Sequence, residues 1–305
     1  MSHLKASSLF SVQDRVAVIT GGGSGLGRTM TRALAVNGAS KIFILGRREI
    51  SLGETISECD GSCAVIPVQC DITSRQSLER AYQAIEAQTT HIDIFFANSG
   101  TMGPPMPSPT SNKDGPSPPL NDACNELFSI PTEQFTDVLN VNVTGTYYSI
   151  LAFLPLLQAS NKRRSMPRIG SMSPPTAQVI ITSSISAFLR QPTHSFAYNT
   201  SKAAVAHLAT MLSASLAMYD IRVNSISPGL YNSEMSEPML AAKAIQQGGI
   251  SDGSFPRDII PLSRGGSEED LAGLIVWMAS ASGGYLNGAN VITDGGWLGS
   301  ATGGR

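Results

Sequence analysis

Tyr198 and Lys202 stand four residues apart in a stretch whose composition predicts a helix. Residues at this spacing share one helix face, so the phenol and the ammonium would point at the same spot. A free tyrosine has a pKa of about 10, and a neighbouring ammonium favours the phenolate and lowers that pKa. Such pairs also arise by chance. With suitable surroundings, this pair is a candidate for exchanging a proton with a substrate oxygen.

Two further polar residues are candidates for the same site. Ser184 stands fourteen residues before the tyrosine, at the end of a predicted strand, where its hydroxyl can hydrogen-bond an oxygen on which charge develops. Ser183 and Ser186 are close enough to compete for this role. Asn142 lies inside a predicted helix, where asparagine is mildly unfavourable. It is either a tolerated polar residue or a side chain with a task beyond helix formation.

A glycine-rich turn, TGGGSGLG at Thr20 to Gly27, separates a short apolar run from the first predicted helix. Glycines let the backbone turn tightly and approach a pyrophosphate, while free N–H groups at the helix start face its negative charge. The position matters, because a chain with 29 glycines also contains such turns by chance. The turn predicts a dinucleotide site, with a plain strand-to-helix connection as the alternative.

Other candidates follow the ends of other predicted strands, at the edge where open α/β sheets bind ligands. Asp71 can accept an adenine amino group or cap the next helix, and Asn98-Ser99-Gly100 forms a tight turn with or without a ligand. Gly46 stands where an NAD-specific site usually places an acid that binds the ribose 2′-hydroxyl. Arg47 and Arg48 follow, and guanidinium groups pair well with phosphate. NADP(H) is therefore the expected cofactor and NAD(H) the possible second one, unless both arginines are solvated surface charges.

The elements that must position these residues alternate along the chain. From Arg15 onward, β-branched runs alternate with helical segments, which predicts βαβ units and a parallel sheet. We expect an α/β fold with a Rossmann-like, doubly wound sheet of about seven strands, in one domain over residues 15–305 after an N-terminal extension, residues 1–14. The predicted strands are Val16 to Thr20, Lys41 to Leu45, Ala64 to Val68, Asp93 to Ala97, Val179 to Thr182, Arg222 to Ser227 and Ala289 to Thr293. The predicted helices are Gly25 to Val36, Thr132 to Gln158, Tyr198 to Tyr219, and Glu268 to Ala279. One more helix is expected to begin at a capping box formed by Thr73 and Gln76.

Two segments interrupt this alternation. Residues 103–119 hold seven prolines in seventeen residues, and residues 160–175 are basic and Pro-rich. Both are predicted to be surface insertions. The insertion at residues 103–119 begins at the sheet edge where substrate is expected to bind, so it is a candidate lid.

Composition excludes several classes of function. With 21 basic and 23 acidic residues and a formal charge of −2, the chain lacks the positive surface that binds nucleic acid or anionic lipid. The four cysteines lack metal-binding spacing, so no metal is expected. The N-terminal residues contain no apolar run of signal-peptide or membrane-span length. We expect a cytoplasmic protein that acts on a small molecule and has no membrane or nucleic-acid partner.

Taken together, these residues resemble the single-domain short-chain dehydrogenase/reductase family over about Arg15 to Trp297. The sequence of residues 44–49 is similar to that of fungal members of the family and of β-ketoacyl reductases of the rhamnolipid type. Ala97 stands where the family more often has asparagine, and the interval between Ser184 and Tyr198 is slightly long. The shared motifs are the TGxxxGxG turn at Thr20 to Gly27, Asp71, Asn98-Ser99-Gly100, Asn142 to Gly145, Ser184, Tyr198-x-x-x-Lys202, Asn224 to Gly229, and Asp294-Gly295-Gly296.

The resemblance implies roles for these residues. Tyr198 would be the acid/base, and Lys202 would hold the nicotinamide ribose and tune Tyr198. Ser184 would orient the carbonyl, and Asn142 would anchor a water in a proton relay. The family also implies a homodimer or homotetramer. The implied cofactor-binding residues are Thr20, Gly21, Ser24, Gly25, Leu26, Gly27, Arg47, Arg48, Asp71, Ile72, Asn98, Gly100, Tyr198, Lys202, Pro228, Gly229 and Ser233.

The sequence thus predicts an NADP(H)-dependent oxidoreductase that interconverts a ketone and a secondary alcohol. The expected substrate is medium-sized and hydrophobic, such as a β-ketoacyl or secondary-metabolite intermediate. Two alternatives stay open: a lyase or epimerase of the same fold without net redox change, and a non-catalytic dinucleotide-binding scaffold. The scaffold would need the glycines but not the serine, tyrosine and lysine together. Apolar residues that would line the substrate pocket are Met102, Phe188, Leu189, Tyr231, Met235, Met239 and Leu240.

Overall fold

Seven strands form one parallel sheet in the order β3-β2-β1-β4-β5-β6-β7. The structure, a computed structural model, describes residues 4–59, 61, 63–103, 119–164, 174–237 and 250–302. Each predicted strand is confirmed to within one residue at either end. The strands are β1 Val16–Thr20, β2 Lys41–Gly46, β3 Ala64–Gln69, β4 Ile94–Ala97, β5 Gln178–Thr182, β6 Arg222–Pro228 and β7 Asn290–Thr293.

Helices cover both faces of the sheet, as predicted for a doubly wound α/β fold. The order of strands reverses between β1 and β4, and such a reversal opens a crevice at the carboxyl ends of the strands. The described helices are α1 Ala6–Leu9, α2 Gly25–Val36, α3 Glu49–Ser57, α4 Arg75–Glu86, α5 Leu120–Phe128, α6 Thr132–Leu139, α7 Thr146–Arg163, α8 Phe196–Ser215, α9 Glu268–Ala279 and α10 Trp297–Thr302.

The central strands are buried on both sides because their apolar residues point alternately to the two faces. In β1, Val16 and Val18 join one apolar cluster with Phe95 and Phe153. Ala17 and Ile19 join the cluster on the opposite face, which includes residues of α2 and α9. The sheet is therefore a rigid platform for the loops at its edge.

The predicted helix over residues 132–158 differs from the structure, which has two helices, α6 and α7, joined by a π-helical turn at Asn140–Gly145. Helix α7 continues to Arg163, so the first four residues of the predicted insertion at 160–175 are helical. Helix α5 was not predicted. Residues 104–118 of the first predicted insertion and residues 165–173 of the second lie outside the described residues.

The predicted capping box at Thr73 and Gln76 is wrong by one residue. Ser74 caps α4, and its hydroxyl accepts a hydrogen bond from the backbone N–H of Ser77 at 3.2 Å. Thr73 instead donates its backbone N–H and its hydroxyl to Oδ1 of Asp71, at 2.9 and 2.7 Å. Thr73 therefore binds Asp71 after β3 and does not cap α4.

Within the described residues, none of the helices combines the length and the apolar character that a bilayer crossing requires. The same residues contain no cluster of His, Cys, Asp or Glu side chains suited to holding a metal ion.

Candidate active site

Thr20 and Asn98 join the carboxyl ends of three central strands. The hydroxyl of Thr20, at the end of β1, accepts hydrogen bonds from the backbone N–H groups of Asn98 and Ser99 at 2.9 and 3.0 Å. The Asn98 amide donates to the carbonyl of Thr20 at 3.2 Å and accepts from the hydroxyl of Thr182, at the end of β5, at 3.1 Å. These bonds fix the edge at which the predicted site residues meet.

The glycine-rich turn passes between β1 and α2 with almost no free space for side chains. Gly27 lies against the turn itself, so a Cβ there would come 2.1 Å from the carbonyl oxygen of Gly21. Gly25 has a φ of 50°, and a Cβ there would lie 3.0 Å from Cβ of Ser233. Gly21, Gly23 and Ser24 of this turn line the adjoining crevice, where a pyrophosphate could approach the backbone closely.

We expect Gly27→Ala to lower the free energy of unfolding by about 1–3 kcal/mol, because the new methyl overlaps backbone that cannot move without opening the turn. Gly53→Ala in α3 is the matched control, since a Cβ there meets nothing within 4 Å. Urea denaturation of both variants measures the difference. A midpoint for Gly27→Ala equal to that of Gly53→Ala would contradict the packing of the turn.

A cavity of about 170 Å³ extends from this turn along the sheet edge. Its lining combines backbone at the glycines with polar and charged side chains, which fits a dinucleotide. Leu52 and Val141 add apolar contacts that sequence reasoning missed, because only the folded chain brings α3 and the π-helical turn to this edge. Cys70, which follows β3 and precedes Asp71, adds another. Of the predicted cofactor-binding residues, the lining includes Gly21, Ser24, Arg47, Arg48, Asp71, Ile72 and Gly100.

The two arginines after β2 differ in their surroundings. Nη2 of Arg48 lies 2.7 Å from a carboxylate oxygen of Glu234 and 3.4 Å from the hydroxyl of Ser24. Arg47 is exposed, and its charge contributes to an Asp71 pKa below the ordinary value. Burial would raise that pKa, but the hydrogen bonds from Thr73 and the charge of Arg47 outweigh burial. A phosphate at the end of β2 would therefore find the Arg47 guanidinium exposed to solvent.

Tyr198 lies in the first turn of α8, and the hydroxyl of Ser195 accepts a hydrogen bond from its backbone N–H at 3.0 Å. The side chain is 8% exposed, and its phenol is hydrogen-bonded to Ser184. Burial raises the pKa of Tyr198, while the bond to Ser184 opposes the shift. The pKa of Tyr198 thus lies above its ordinary value in this structure, while Nζ of Lys202 donates to the carbonyl of Thr182 at 2.9 Å and lies 5.7 Å from the ring centroid.

The structure distinguishes the three candidate serines. Ser184 is the one that contacts Tyr198. Ser183 donates its hydroxyl to the backbone carbonyl of Lys202 at 2.8 Å, which leaves it facing α8 backbone. Ser186 is buried behind Ser184, and their hydroxyls lie 3.1 Å apart. Ser184 is thus the serine beside the tyrosine, as predicted.

Asn142 joins three elements from the π-helical turn. Its amide donates to the carbonyl of Thr101 and to the hydroxyl of Ser201, at 2.8 and 2.9 Å, and accepts from the backbone N–H of Thr101 at 2.8 Å. A Cβ at Gly100 would lie 3.2 Å from its Oδ1 and 3.5 Å from Nζ of Lys202. The side chain thus has a task beyond helix formation, and its implied role in holding a water stays a prediction.

Lys202 is buried, and burial lowers its pKa from 10.5 to about 8. Between these values the unfolded chain binds more protons at this lysine than the folded chain does, so raising the pH favours folding. We expect the free energy of unfolding of the wild type, minus that of Lys202→Met, to rise between pH 8 and 10.5, by at most about 1.4 kcal/mol per pH unit. Subtracting the variant cancels groups with opposite behaviour, such as Cys70, whose pKa burial raises to about 11. A flat difference in chemical denaturation across this range would contradict a buried, titrating lysine.

Comparison with known proteins identifies the family. A family model described as short chain dehydrogenase matches residues 15–244. The chain belongs to the short-chain dehydrogenase/reductase family. This confirms the predicted enzyme class, an oxidoreductase acting between CH–OH and C=O, and the family binds NAD(P).

Two relatives and one solved structure illustrate the similarity. The short-chain dehydrogenase/reductase PhomF of Diaporthe leptostromiformis is 40% identical over 295 residues, covering 97% of this chain and 95% of PhomF. The rhamnolipids biosynthesis 3-oxoacyl-(acyl-carrier-protein) reductase of Pseudomonas aeruginosa is 28% identical over 291 residues, covering 94% and 98%. The Pseudomonas aeruginosa RhlG/NADP active-site complex has a TM-score of 0.76 at 27% identity, covering 95% and 98%.

Three further predicted residues of this short-chain dehydrogenase/reductase, Pro228, Gly229 and Ser233, lie at the end of β6 and just after it. Gly229 packs against Asp294, and its N–H donates to the carbonyl of Thr293 at 2.9 Å, which holds Pro228 at the sheet edge. Ser233 lies beside Gly25 in the glycine-rich turn. The segment after β6 therefore packs against the glycine-rich turn.

The predicted walls of the substrate pocket are only partly brought together. Phe188 and Met235 are 41% and 38% exposed, and such apolar surface can receive a ligand. Tyr231 is buried in the apolar core and bonds to the hydroxyl of Thr293 at 2.6 Å, so packing explains it. Met239 and Leu240 lie outside the described residues.

Proposed function

We propose that this protein is an NADP(H)-dependent enzyme that interconverts a ketone and a secondary alcohol. The observation that carries the proposal is the buried group of Ser184, Tyr198 and Lys202 at the sheet edge that also forms the dinucleotide cavity. Burying an ammonium is costly, and the pKa of this lysine is lowered accordingly. A scaffold that only binds a dinucleotide could use the lysine for the ribose but would have no use for Ser184 and Tyr198 buried beside it.

In the proposed reaction, the bound cofactor supplies or accepts the hydride at the carbonyl carbon. Ser184 donates a hydrogen bond to the carbonyl oxygen, and Tyr198 gives its phenolic proton to the same oxygen. The ammonium of Lys202 holds the ribose hydroxyls and stabilises the phenolate that Tyr198 becomes. Asn142, in the π-helical turn, holds the loop after β4 and helix α8 in place through its three hydrogen bonds to Thr101 and Ser201.

The proposed substrate is a medium-sized hydrophobic ketone, with β-ketoacyl thioesters and secondary-metabolite ketones as the first classes to examine. The 3-oxoacyl-(acyl-carrier-protein) reductase among the relatives and the exposed apolar residues Phe188 and Met235 support this choice. The test is to screen purified protein with NADPH against such ketones and to count NADPH oxidised per molecule of substrate converted. A ratio of one supports a reductase, and conversion without NADPH loss supports a lyase or epimerase.

The proposal includes the cytoplasm as the site of action. Cys70 and Cys124 are free thiols, and free thiols are typical of reducing compartments. Cell fractionation with an antibody against the protein measures this directly.

The proposal also includes a homodimer or homotetramer. Phe196 and Met211 on α8 and Tyr147 on α7 are 50%, 49% and 37% exposed, and apolar surface of this kind favours association. We expect sedimentation at micromolar concentration to give the mass of a dimer or tetramer. A monomer mass alone would contradict this part of the proposal.

A further inference from the structure

Four polar side chains form a continuous chain of hydrogen bonds that leads away from the proposed reaction centre. The hydroxyl of Ser184 lies 3.1 Å from that of Ser186, which lies 2.7 Å from that of Thr193. The Thr193 hydroxyl in turn donates to Oδ1 of Asn199 at 3.3 Å. The chain begins at the serine that contacts Tyr198 and ends at the residue that follows Tyr198 in α8.

The orientation of the Asn199 amide is fixed by backbone groups on both of its sides. Oδ1 accepts from the backbone N–H of Thr193 at 3.3 Å, and Nδ2 donates to the carbonyls of Ser186 and Gln191 at 2.9 and 3.5 Å. A flipped amide would place its NH₂ against an N–H and its oxygen against two carbonyls. The end of the chain at Asn199 is therefore an acceptor.

An acceptor at one end sets the direction of every hydrogen bond in the chain, because each hydroxyl has only one proton. Thr193 gives its proton to Asn199, so Ser186 must donate to Thr193. Ser184 then donates to Ser186, consistent with their geometry. The lone pairs of Ser184 are left to accept, and one of them accepts from the backbone N–H of Ser186 at 3.1 Å.

We propose that Thr193 and Asn199 are positioning residues that prepare the reaction centre for carbonyl reduction. The chain holds Ser184 in one rotamer, with its oxygen beside Tyr198 and its proton directed at Ser186. When a carbonyl oxygen arrives, the Ser184 proton turns from Ser186 to that oxygen, and no covalent bond has to change. Because the Ser184 oxygen is already in place and only its O–H bond has to rotate, less reorganisation is needed in the transition state, and the chain favours turnover more than substrate binding. This inference rests on the proposed function.

The structure separates this role from simple support of the loop. The Asn199 amide holds residues 186–193 through backbone groups, and those bonds do not involve the hydroxyl of Thr193. Thr193→Val therefore removes the third hydroxyl of the chain while it retains the shape of the side chain and the backbone contacts. Thr193→Ser restores the hydroxyl without the methyl group.

The test compares the kinetics of these two variants with NADPH and a ketone reduced by the wild type. We expect Thr193→Val to lower kcat about threefold to tenfold, the effect of one neutral hydrogen bond, with KM and NADPH affinity within about twofold of the wild type. Thr193→Ser should recover most of the lost kcat. Thr200→Val is a matched control, because Thr200 lies exposed on α8 and its hydroxyl bonds only to helix carbonyls. Wild-type kcat in Thr193→Val, or equal losses in Thr193→Val and Thr193→Ser, would overturn the proposal.

Crystal structures of the wild type and Thr193→Val test the same chain without turnover. We expect the variant to retain the Asn199 contacts to backbone while the Ser186 hydroxyl leaves its wild-type position and Ser184 occupies more than one rotamer. Unchanged rotamers of both serines would overturn the proposal. A wild-type protein that oxidises no NADPH with any ketone would instead contradict the proposed function, and the two crystal structures would still decide whether the chain orients Ser184.

Discussion

Replacing Tyr198 with phenylalanine is expected to lower kcat by about two to four orders of magnitude, the usual contribution of a general acid. The ring is buried, so losing one oxygen preserves its packing while removing the proton that the carbonyl oxygen receives. Tyr198 is not among the residues that line the cofactor cavity. NADPH affinity, measured by calorimetry, should therefore stay within about threefold of the wild type, since the phenol makes only a small part of the cofactor contacts.

Tyr82→Phe provides the matched control for this substitution. Tyr82 lies on α4, where its hydroxyl donates to the carboxylate of Glu86 at 2.7 Å, away from the sheet edge. It should retain wild-type kcat. If Tyr198→Phe kept more than about a tenth of wild-type kcat, Tyr198 would not be the general acid.

Replacing Arg47 with alanine is expected to lower kcat/KM for NADPH by about tenfold to a hundredfold, the effect of losing a charged hydrogen bond worth about 1.5–3 kcal/mol. Gly46 leaves the end of β2 without the acid that would repel a 2′-phosphate, and exposed Arg47 lies close enough to influence Asp71. Arg48 is held by Glu234 and must leave that ion pair to reach a phosphate. Arg48→Ala should therefore have the smaller effect of the two.

Steady-state kinetics with NADPH and NADH on the wild type and both arginine variants measure this preference. The wild type should favour NADPH, and Arg47→Ala should lose activity with NADPH while keeping activity with NADH. Equal use of both cofactors by the wild type, or equal losses with both cofactors in Arg47→Ala, would show that Arg47 does not bind the 2′-phosphate.

The five inner strands could be predicted closely because they are buried on both faces, so their apolar, β-branched runs end where the strands end. The helix over residues 132–158 was harder to predict. Its π-helical turn depends on Asn142, whose amide bonds to Thr101 and Ser201, residues far away in the sequence. No local pattern contains that information.

The candidate site shows the same division. The spacing of Tyr198 and Lys202 is local to one helix, so the sequence predicts their shared face correctly. The pKa of Tyr198 depends on burial and on Ser184, and it moves in the opposite direction from the expectation. The link from Ser184 to Thr193 and Asn199 depends on the path of the intervening loop, which spacing alone does not define.

The most direct test of the proposed function follows the hydride itself. Purified protein is supplied with NADPH deuterated at the transferable C4 position and with a ketone from the proposed classes, and the product is analysed by mass spectrometry and NMR. The proposed function predicts one deuterium on the carbinol carbon of each alcohol formed and one NADP⁺ for each deuterium transferred. Substrate conversion with no deuterium in the product and no loss of NADPH would contradict it.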